Sequence, residues 1–259
     1  MDNLKITLFQ GYLFWEKIDK NLQNISLRLS GIREKTDLII LPEMFNTGFT
    51  MNAAEMAEPM DGKTMQWMHK TAQQFDCVVT GSLIITEKNK YYNRLIWMLP
   101  DGSYKYYDKR HLFGLGQEDH TYTSGKKKLI VELKGWKICP VICYDLRFPV
   151  FLRNVGGEYD LLLIVANWPE RRALHWRTLI PARAVENQCY VIGVNRVGHD
   201  GNEVYHSGDS TCIDPNGNVV YYKRDEEDVY TFSINAEELA LNRRAFPFLK
   251  DADKFELKN

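Results

Sequence analysis

Short apolar runs rich in β-branched and aromatic residues recur along the whole chain, and no all-helical architecture absorbs so many of them. Residues 5–9, 37–41, 77–86, 91–99, 129–133, 136–143, 160–166, 190–195, 210–213, 219–222 and 229–234 read as strands. Amphipathic segments lie between them. Ile18, Leu22, Ile25, Leu29 and Ile32 recur at spacings of 4, 3, 4 and 3, which places all five on one face of a helix made to cover a sheet. Met65, Met68, Ala72 and Phe75 repeat the pattern behind Asp61-Gly62, and residues 174–188 form a third helical segment that Pro181 should bend. Asp101-Gly102 and Asn216-Gly217 are hairpin signals between strand-like runs, so antiparallel pairing joins the βα alternation of the early chain in a mixed sheet. No fixed-period repeat, low-complexity tract or Pro/Gly/Ser linker divides the sequence, which points to a single domain over residues 1–259.

Composition removes several classes of function. With 33 Lys and Arg against 34 Asp and Glu, the net charge of −1 gives no electrostatic reason to expect nucleic acid or an anionic membrane as partner. The apolar stretch 161–166 is far shorter than the roughly 20 residues that cross a bilayer. Asp2 stands early, and Lys5 and Gln10 interrupt what would be the apolar core of a signal peptide, so a cytoplasmic protein is expected. The cysteines, Cys77, Cys139, Cys143, Cys189 and Cys212, are odd in number and lack CxxC spacing; they read as thiols rather than a disulfide framework or a zinc ribbon. No HExxH, His-rich cluster or Gly-rich phosphate loop occurs. Lys126-Lys127-Lys128 and Asp225-Glu226-Glu227-Asp228 read as solvated turns.

Three reactive groups stand at strand ends. Glu43 follows the run 37–41, and Pro42 keeps the strand ladder from simply continuing. A carboxyl in that setting is poorly solvated, which raises its pKa towards the range of a general base. Cys143 closes the run 136–142 and precedes Asp145, Arg147 and Pro149, the last suited to a first helical turn. A strand-to-helix elbow of this kind exposes the side chain, aims backbone N–H groups at it and favours the thiolate. Lys109 follows the strand-like segment 104–107, and an ammonium near a thiolate stabilises an oxyanion. Taken singly, each has an ordinary reading: a Glu paired with a surface Lys, a small buried Cys, a solvated Lys.

Taken together, Glu43, Lys109 and Cys143 resemble the Glu-Lys-Cys triad of the nitrilase, or carbon-nitrogen hydrolase, superfamily, met in that chain order. The resemblance runs from the first strand through Arg183-Ala184-Val185-Glu186-Asn187-Gln188. Within the superfamily, the stretches Leu41-Pro42-Glu43-Met44-Phe45-Asn46-Thr47-Gly48-Phe49, Asp108-Lys109-Arg110-His111-Leu112-Phe113 and Cys143-Tyr144-Asp145-Leu146-Arg147-Phe148-Pro149 look most like bacterial omega-amidases. The resemblance implies an α/β fold, a four-layer α-β-β-α sandwich with two mixed sheets between helical layers, and at least a homodimer.

It also implies roles. Cys143 is the nucleophile, Glu43 the general base and acid, and Lys109 the cation at the tetrahedral intermediate. Glu118 stands where the family has a second Glu near the Lys; the alternative is one acid in a polar loop. Arg147 takes the position that holds the distal carboxylate of a dicarboxylate monoamide such as 2-oxoglutaramate or 2-oxosuccinamate; the alternative is a helix-start salt bridge. The Tyr144 backbone N–H joins the oxyanion site, and Trp168 walls the pocket or packs in the core. Neither a metal nor an organic cofactor is required for a thioester mechanism. Other readings stay open: a different amide hydrolase of the superfamily (N-carbamoyl, aliphatic amide or deaminated glutathione), a Cys-His hydrolase using His111, and a silent scaffold.

Overall fold

A computed structural model of the chain describes residues 1–257. Thirteen strands are present among them: β1 (Leu4–Gln10), β2 (Leu38–Ile40), β3 (Val78–Glu87), β4 (Lys90–Met98), β5 (Tyr104–Asp108), β6 (Val131–Leu133), β7 (Trp136–Ile142), β8 (Leu161–Val165), β9 (Tyr190–Val194), β10 (Val197–His199), β11 (Tyr205–Ile213), β12 (Val219–Arg224) and β13 (Asp228–Ile234). The helices are α1 (Ile18–Leu29), α2 (Ala53–Met56), α3 (Lys63–Phe75), α4 (Glu118–Thr121), α5 (Pro149–Leu152), α6 (Ala173–Asn187) and α7 (Ala236–Ala245). No helix among the described residues is long and apolar enough to cross a membrane.

The strands form two mixed sheets. One runs β13-β1-β2-β3-β4-β5 and the other β10-β11-β9-β8-β7-β6, with β12 paired to β11. In each, a central parallel trio is flanked by antiparallel strands: β1-β2-β3 in the first, β7-β8-β9 in the second. The period-2 alternation of strand side chains assigns the layers. Leu38 and Ile40 of β2 face the core shared with the second sheet, while Ile39 joins Leu22, Ile25, Leu29, Met65, Met68 and Ala72 of α1 and α3. On β4, Leu95 and Trp97 point inward, and Ile96 and Met98 face the helices. On the far side, α6 lies close against β9 because residue 193 is Gly. A Cβ there would meet Ile180 Cδ1 at 2.5 Å and Trp176 Cζ2 at 2.6 Å. The result is the helix-sheet-sheet-helix order expected.

Both anticipated hairpins form. Asp101-Gly102 joins β4 to β5 and Asn216-Gly217 joins β11 to β12, with Gly102 at φ +84° and Gly217 at φ +90°. Helix α3 starts behind Gly62, α6 runs on through Pro181, and α1 stops at Leu29, three residues short of Ile32. Three elements differ from the sequence reading. Strand β11 begins at Tyr205 rather than at 210, because its first half carries buried polar residues, His206, Ser207 and Asp209, that hide the alternation. Strand β10 is only three residues long. Helix α7 has a weak apolar stripe; Asn235 starts it by accepting the backbone N–H groups of Glu237 at 2.9 Å and Glu238 at 3.3 Å.

Candidate active site

The site assembles where parallel strands end, the place at which α/β sheets open a crevice. Glu43 lies three residues past β2, Lys109 directly after β5, Cys143 directly after β7, and Asn167 and Trp168 just past β8. Cys143 adopts φ +45° and Met44, next to Glu43, φ +43°. Left-handed backbone at a side chain with Cβ costs about 1–3 kcal/mol and persists only where the surroundings hold it. The Met44 N–H is fixed by Ser82 Oγ at 2.9 Å and its carbonyl accepts the Gly48 N–H at 2.7 Å. Asp145 holds the Cys143 elbow. Its Oδ2 accepts the Ile142 N–H at 3.0 Å and the Tyr107 hydroxyl at 2.8 Å, while Oδ1 accepts the His111 N–H at 3.1 Å and lies 2.7 Å from His111 Nδ1. One buried carboxylate thereby ties the Cys143 elbow to the segment that carries Lys109.

The three sequence-predicted groups meet. Glu43 is fully buried, and its Oε1 receives Lys109 Nζ at 2.8 Å and Asn93 Nδ2 at 2.8 Å. The Asn167 N–H donates to Oε2 at 2.8 Å, and Asn167 Nδ2 donates to the Glu43 carbonyl. The Cys143 thiol lines the same cavity, within reach of the charges on both Glu43 and Lys109. Glu118, read from sequence as a possible loop acid, is fully buried on α4. Its Oε1 accepts Lys109 Nζ at 3.0 Å and Asn93 Nδ2 at 3.0 Å, and its Oε2 accepts the Phe113 N–H at 2.7 Å. One ammonium thus bridges two carboxyl groups, with Asn93 donating to both.

Burial sets the electrostatics. It pulls the Lys109 pKa down, but Glu118 and Glu43 override it and hold the ammonium above the ordinary lysine value. Burial also raises Glu118 above the ordinary carboxyl range; Lys109 opposes that shift and the charge on Glu43 adds to it. At Cys143 burial and Glu43 both push the thiol pKa well up, with Lys109 opposing. This corrects one expectation. The elbow was expected to favour the thiolate, yet the turn after Cys143 is a five-residue 3-10 segment, and burial beside a carboxylate outweighs its N–H groups. Both influences favour the protonated thiol at Cys143.

A cavity of about 410 Å³ opens above these groups, a volume suited to a small metabolite. Glu43, Lys109 and Cys143 lie at its foot, Phe49, Phe113, Tyr144 and Trp168 on its walls, and Arg147, Arg171 and Arg172 around it. Trp168 is 4% exposed, which reconciles its two sequence readings: it lines the cavity and packs against Trp176. The Tyr144 ring sits edge-on to Phe113 and Phe148. Arg147 stacks 4.7 Å from the Trp168 ring and has Nη2 3.0 Å from His175 Nδ1; among the described residues it makes no salt bridge to a carboxylate. His111 turns its Nδ1 to Asp145 and stacks on Phe148 at 3.7 Å. Among the described residues no cluster of three or more His, Cys, Asp or Glu could hold a metal ion.

Sequence reasoning missed Asn93, Asn167, Asp145 and Arg172. An Asn or Asp inside or just past a strongly apolar strand was the available signal, since a buried polar side chain needs dedicated partners.

A helix-sheet-sheet-helix sandwich that brings a Glu, a Lys and a Cys into contact at its strand ends has the layout of an amide-cleaving hydrolase without a serine. The chain belongs to the carbon-nitrogen hydrolase family, whose profile matches residues 5–244. It is similar to the omega-amidase YafV of Yersinia enterocolitica, 43% identical over 99% of this chain and 100% of that one. It is also similar to the 2-oxoglutaramate amidase of Bacillus subtilis (strain 168), 33% identical over 96% and 97%. Among solved structures it resembles XC1258 from Xanthomonas campestris, a CN-hydrolase superfamily protein with an arsenic adduct in the active site. The TM-score is 0.98 and the identity 44%, with 100% of both chains covered.

Proposed function

We propose that the chain is an omega-amidase that hydrolyses the terminal amide of a dicarboxylate monoamide, such as 2-oxoglutaramate or 2-oxosuccinamate, to the dicarboxylate and ammonia. The observation that carries this reading is the Glu43–Lys109 ion pair, at 2.8 Å, set beside the Cys143 thiol at the foot of a cavity lined by Arg147, Arg171 and Arg172. The full-length similarity to an omega-amidase and a 2-oxoglutaramate amidase supports the substrate class.

Glu43 accepts the thiol proton as sulfur attacks the amide carbon, so charge moves from carboxylate to developing oxyanion without a free thiolate standing in between. Lys109 Nζ and the Tyr144 backbone N–H meet the oxyanion. Such N–H groups at the first turn of a helical segment have no partner within it. Glu43 then protonates the departing ammonia and, once the amine has left, takes a proton from water as it attacks the thioester; collapse of that intermediate breaks the C–S bond, and Glu43 returns the proton to the Cys143 sulfur as the dicarboxylate leaves. Glu118 keeps Lys109 in place and charged. Arg147 binds the distal carboxylate through its planar fork, and Trp168 walls the acyl chain.

Residues 1–259 act as one domain in this reading. Five free thiols suit the cytoplasm, and exposed Val150, Val155 and Leu174 suit a homodimer or larger homo-oligomer packed through the helical layer. The test is a panel of 2-oxoglutaramate, 2-oxosuccinamate, glutaramate, an N-carbamoyl amino acid and a neutral aliphatic amide, read by ammonia release. Turnover of the carbamoyl compound or the neutral amide with the monoamides inert would refute the assignment. Intact mass after rapid quench should show an acyl adduct on Cys143.

A further inference from the structure

The cavity holds more positive charge than one carboxylate needs. Arg147 already offers a guanidinium fork stacked on Trp168. Arg172, on the turn Glu170–Arg172, lines the same cavity from a partly buried position with its guanidinium 5.1 Å from the Phe113 ring. Trp168 connects the two, because its Nε1–H donates to the Arg172 carbonyl at 2.8 Å while its ring carries Arg147. Arg94, Arg183 and Arg243 are paired with acids, Asp108, Glu186 and Asp160 in turn, while buried Arg196 is held by backbone carbonyls. Among the described residues Arg147 and Arg172 have no such partner, and the cavity's Asp200 is engaged by the N–H groups of Asn202 at 2.8 Å and Val204 at 3.0 Å. Burial lowers the Arg172 pKa below the ordinary arginine value and the nearby Arg171 charge lowers it further, a state that a bound acceptor would relieve. Arg171 is exposed at the rim, where solvent screens it.

We propose that Arg172 is a specificity-determining residue that reads the oxygen next to the substrate's distal carboxylate, so that 2-oxo monoamides are favoured over their saturated counterparts. One planar fork satisfies a plain carboxylate; a 2-oxo acid presents a further acceptor beside it, and the second guanidinium matches that acceptor. A substrate that lacks the oxygen leaves the partly buried donors of Arg172 unmet, which is how a polar site rejects an analogue. This inference rests on the omega-amidase reading and sharpens it.

The experiment compares kcat/KM for 2-oxoglutaramate and glutaramate, by ammonia release, in the wild-type chain, Arg172→Gln and Arg172→Lys. The wild type should prefer 2-oxoglutaramate. Loss of the fork in either variant should cut that preference about tenfold or more, mainly through the KM for the 2-oxo substrate, with a smaller loss on glutaramate. Two soluble variants guard against misfolding, and glutaramate turnover reports an intact site. An unchanged ratio of the two specificities, or equal losses on both substrates, would overturn the role of Arg172 while leaving the omega-amidase reading in place. Failure of the wild type to hydrolyse either monoamide would overturn both.

Discussion

Replacing Lys109 by Met removes the cation that bridges two buried carboxyl groups and keeps an unbranched side chain one atom shorter. In the wild type, Nζ lies 2.8 Å from Glu43 and 2.9 Å from Glu118, all three residues at most 1% exposed. Solvent screening is therefore no discount. Breaking a buried ion pair by deleting one partner costs about 3–5 kcal/mol. The cost should depend on pH, and its sign follows from Glu118. That carboxyl is already raised by burial, with Lys109 holding it down and Glu43 pushing it further up. Without Lys109 it rises more. A carboxyl raised in the folded state adds stability that is full below its unfolded pKa and lost as pH rises through its folded pKa. Hence Lys109→Met should be destabilised most at pH 8, and less at pH 5 by roughly 1.4 kcal/mol for each pKa unit the carboxyl gains. Adding Glu118→Gln removes the surplus negative charge and should restore much of the stability. It should not restore turnover, because the oxyanion still lacks its ammonium; kcat for ammonia release should stay down by about 10²–10³ in both variants. Urea unfolding at the two pH values and single-substrate kinetics read the outcome. A destabilisation equal at pH 5 and pH 8 would refute the electrostatic argument, and a near-normal kcat would remove Lys109 from the chemistry.

Three further outcomes follow from individual contacts. Asn93→Ala deletes the donor shared by Glu43 and Glu118, at 2.8 and 3.0 Å, and should lower kcat by about tenfold with little change in KM; a KM effect alone would contradict it. Asp145→Asn turns an amide group towards at least one of four donors and should cost about 2–4 kcal/mol in urea titrations, with activity lost in the protein that remains folded. Wild-type stability in that variant would separate Asp145 from the elbow. Iodoacetamide should label Cys143 before the other four cysteines, which are all buried. Its rate should still be climbing above the ordinary thiol range, because the raised thiol pKa keeps the thiolate scarce; a plateau below pH 8, followed by mass spectrometry, would show a thiolate at rest.

The parts of the site legible in the sequence are those at which an apolar run ends abruptly. Glu43 and Cys143 stand at such ends, Lys109 follows the largely exposed β5, and chain order made their convergence readable before any coordinates. Layer count was less legible by periodicity. The residues of β2 are all buried, as are those of β8, so the alternation that tells an inner face from an outer one carries no polar contrast. The segment 205–209 fails for the opposite reason, since His206, Ser207 and Asp209 are polar yet buried, Ser207 bonded to Asp209 and His206 set against the Gly198 and Val204 carbonyls. Asn93 was hidden for a related reason. Its neighbours Leu95, Ile96 and Trp97 mark a strand, and nothing local says that an Asn two residues earlier is a donor to two carboxyl groups 50 and 25 positions away. The arginines were legible only in part. Arg147 lies four residues from Cys143, whereas Arg172 comes to the cavity through the chain reversal after β8.

The raised pKa of the Cys143 thiol bears on how the proposed reaction is timed. A resting thiolate beside Glu43 would place a second anion against a carboxyl that already shares the Lys109 cation with Glu118. In the proposed mechanism sulfur avoids that by staying protonated until an amide carbonyl arrives to accept the charge. At that moment the negative charge leaves the Glu43–Cys143 pair and appears on an oxygen facing Lys109, so the ammonium gains a partner as Glu43 becomes neutral. The ammonium that steadies two carboxyl groups in the free enzyme is then the one that meets the oxyanion, and no side chain has to move far for the exchange. In this proposal Glu118 makes the exchange possible. By staying on Lys109 throughout, it keeps the cation anchored and charged while Glu43 is protonated, and a carboxyl that only filled space at that position could be replaced by Gln without loss of rate.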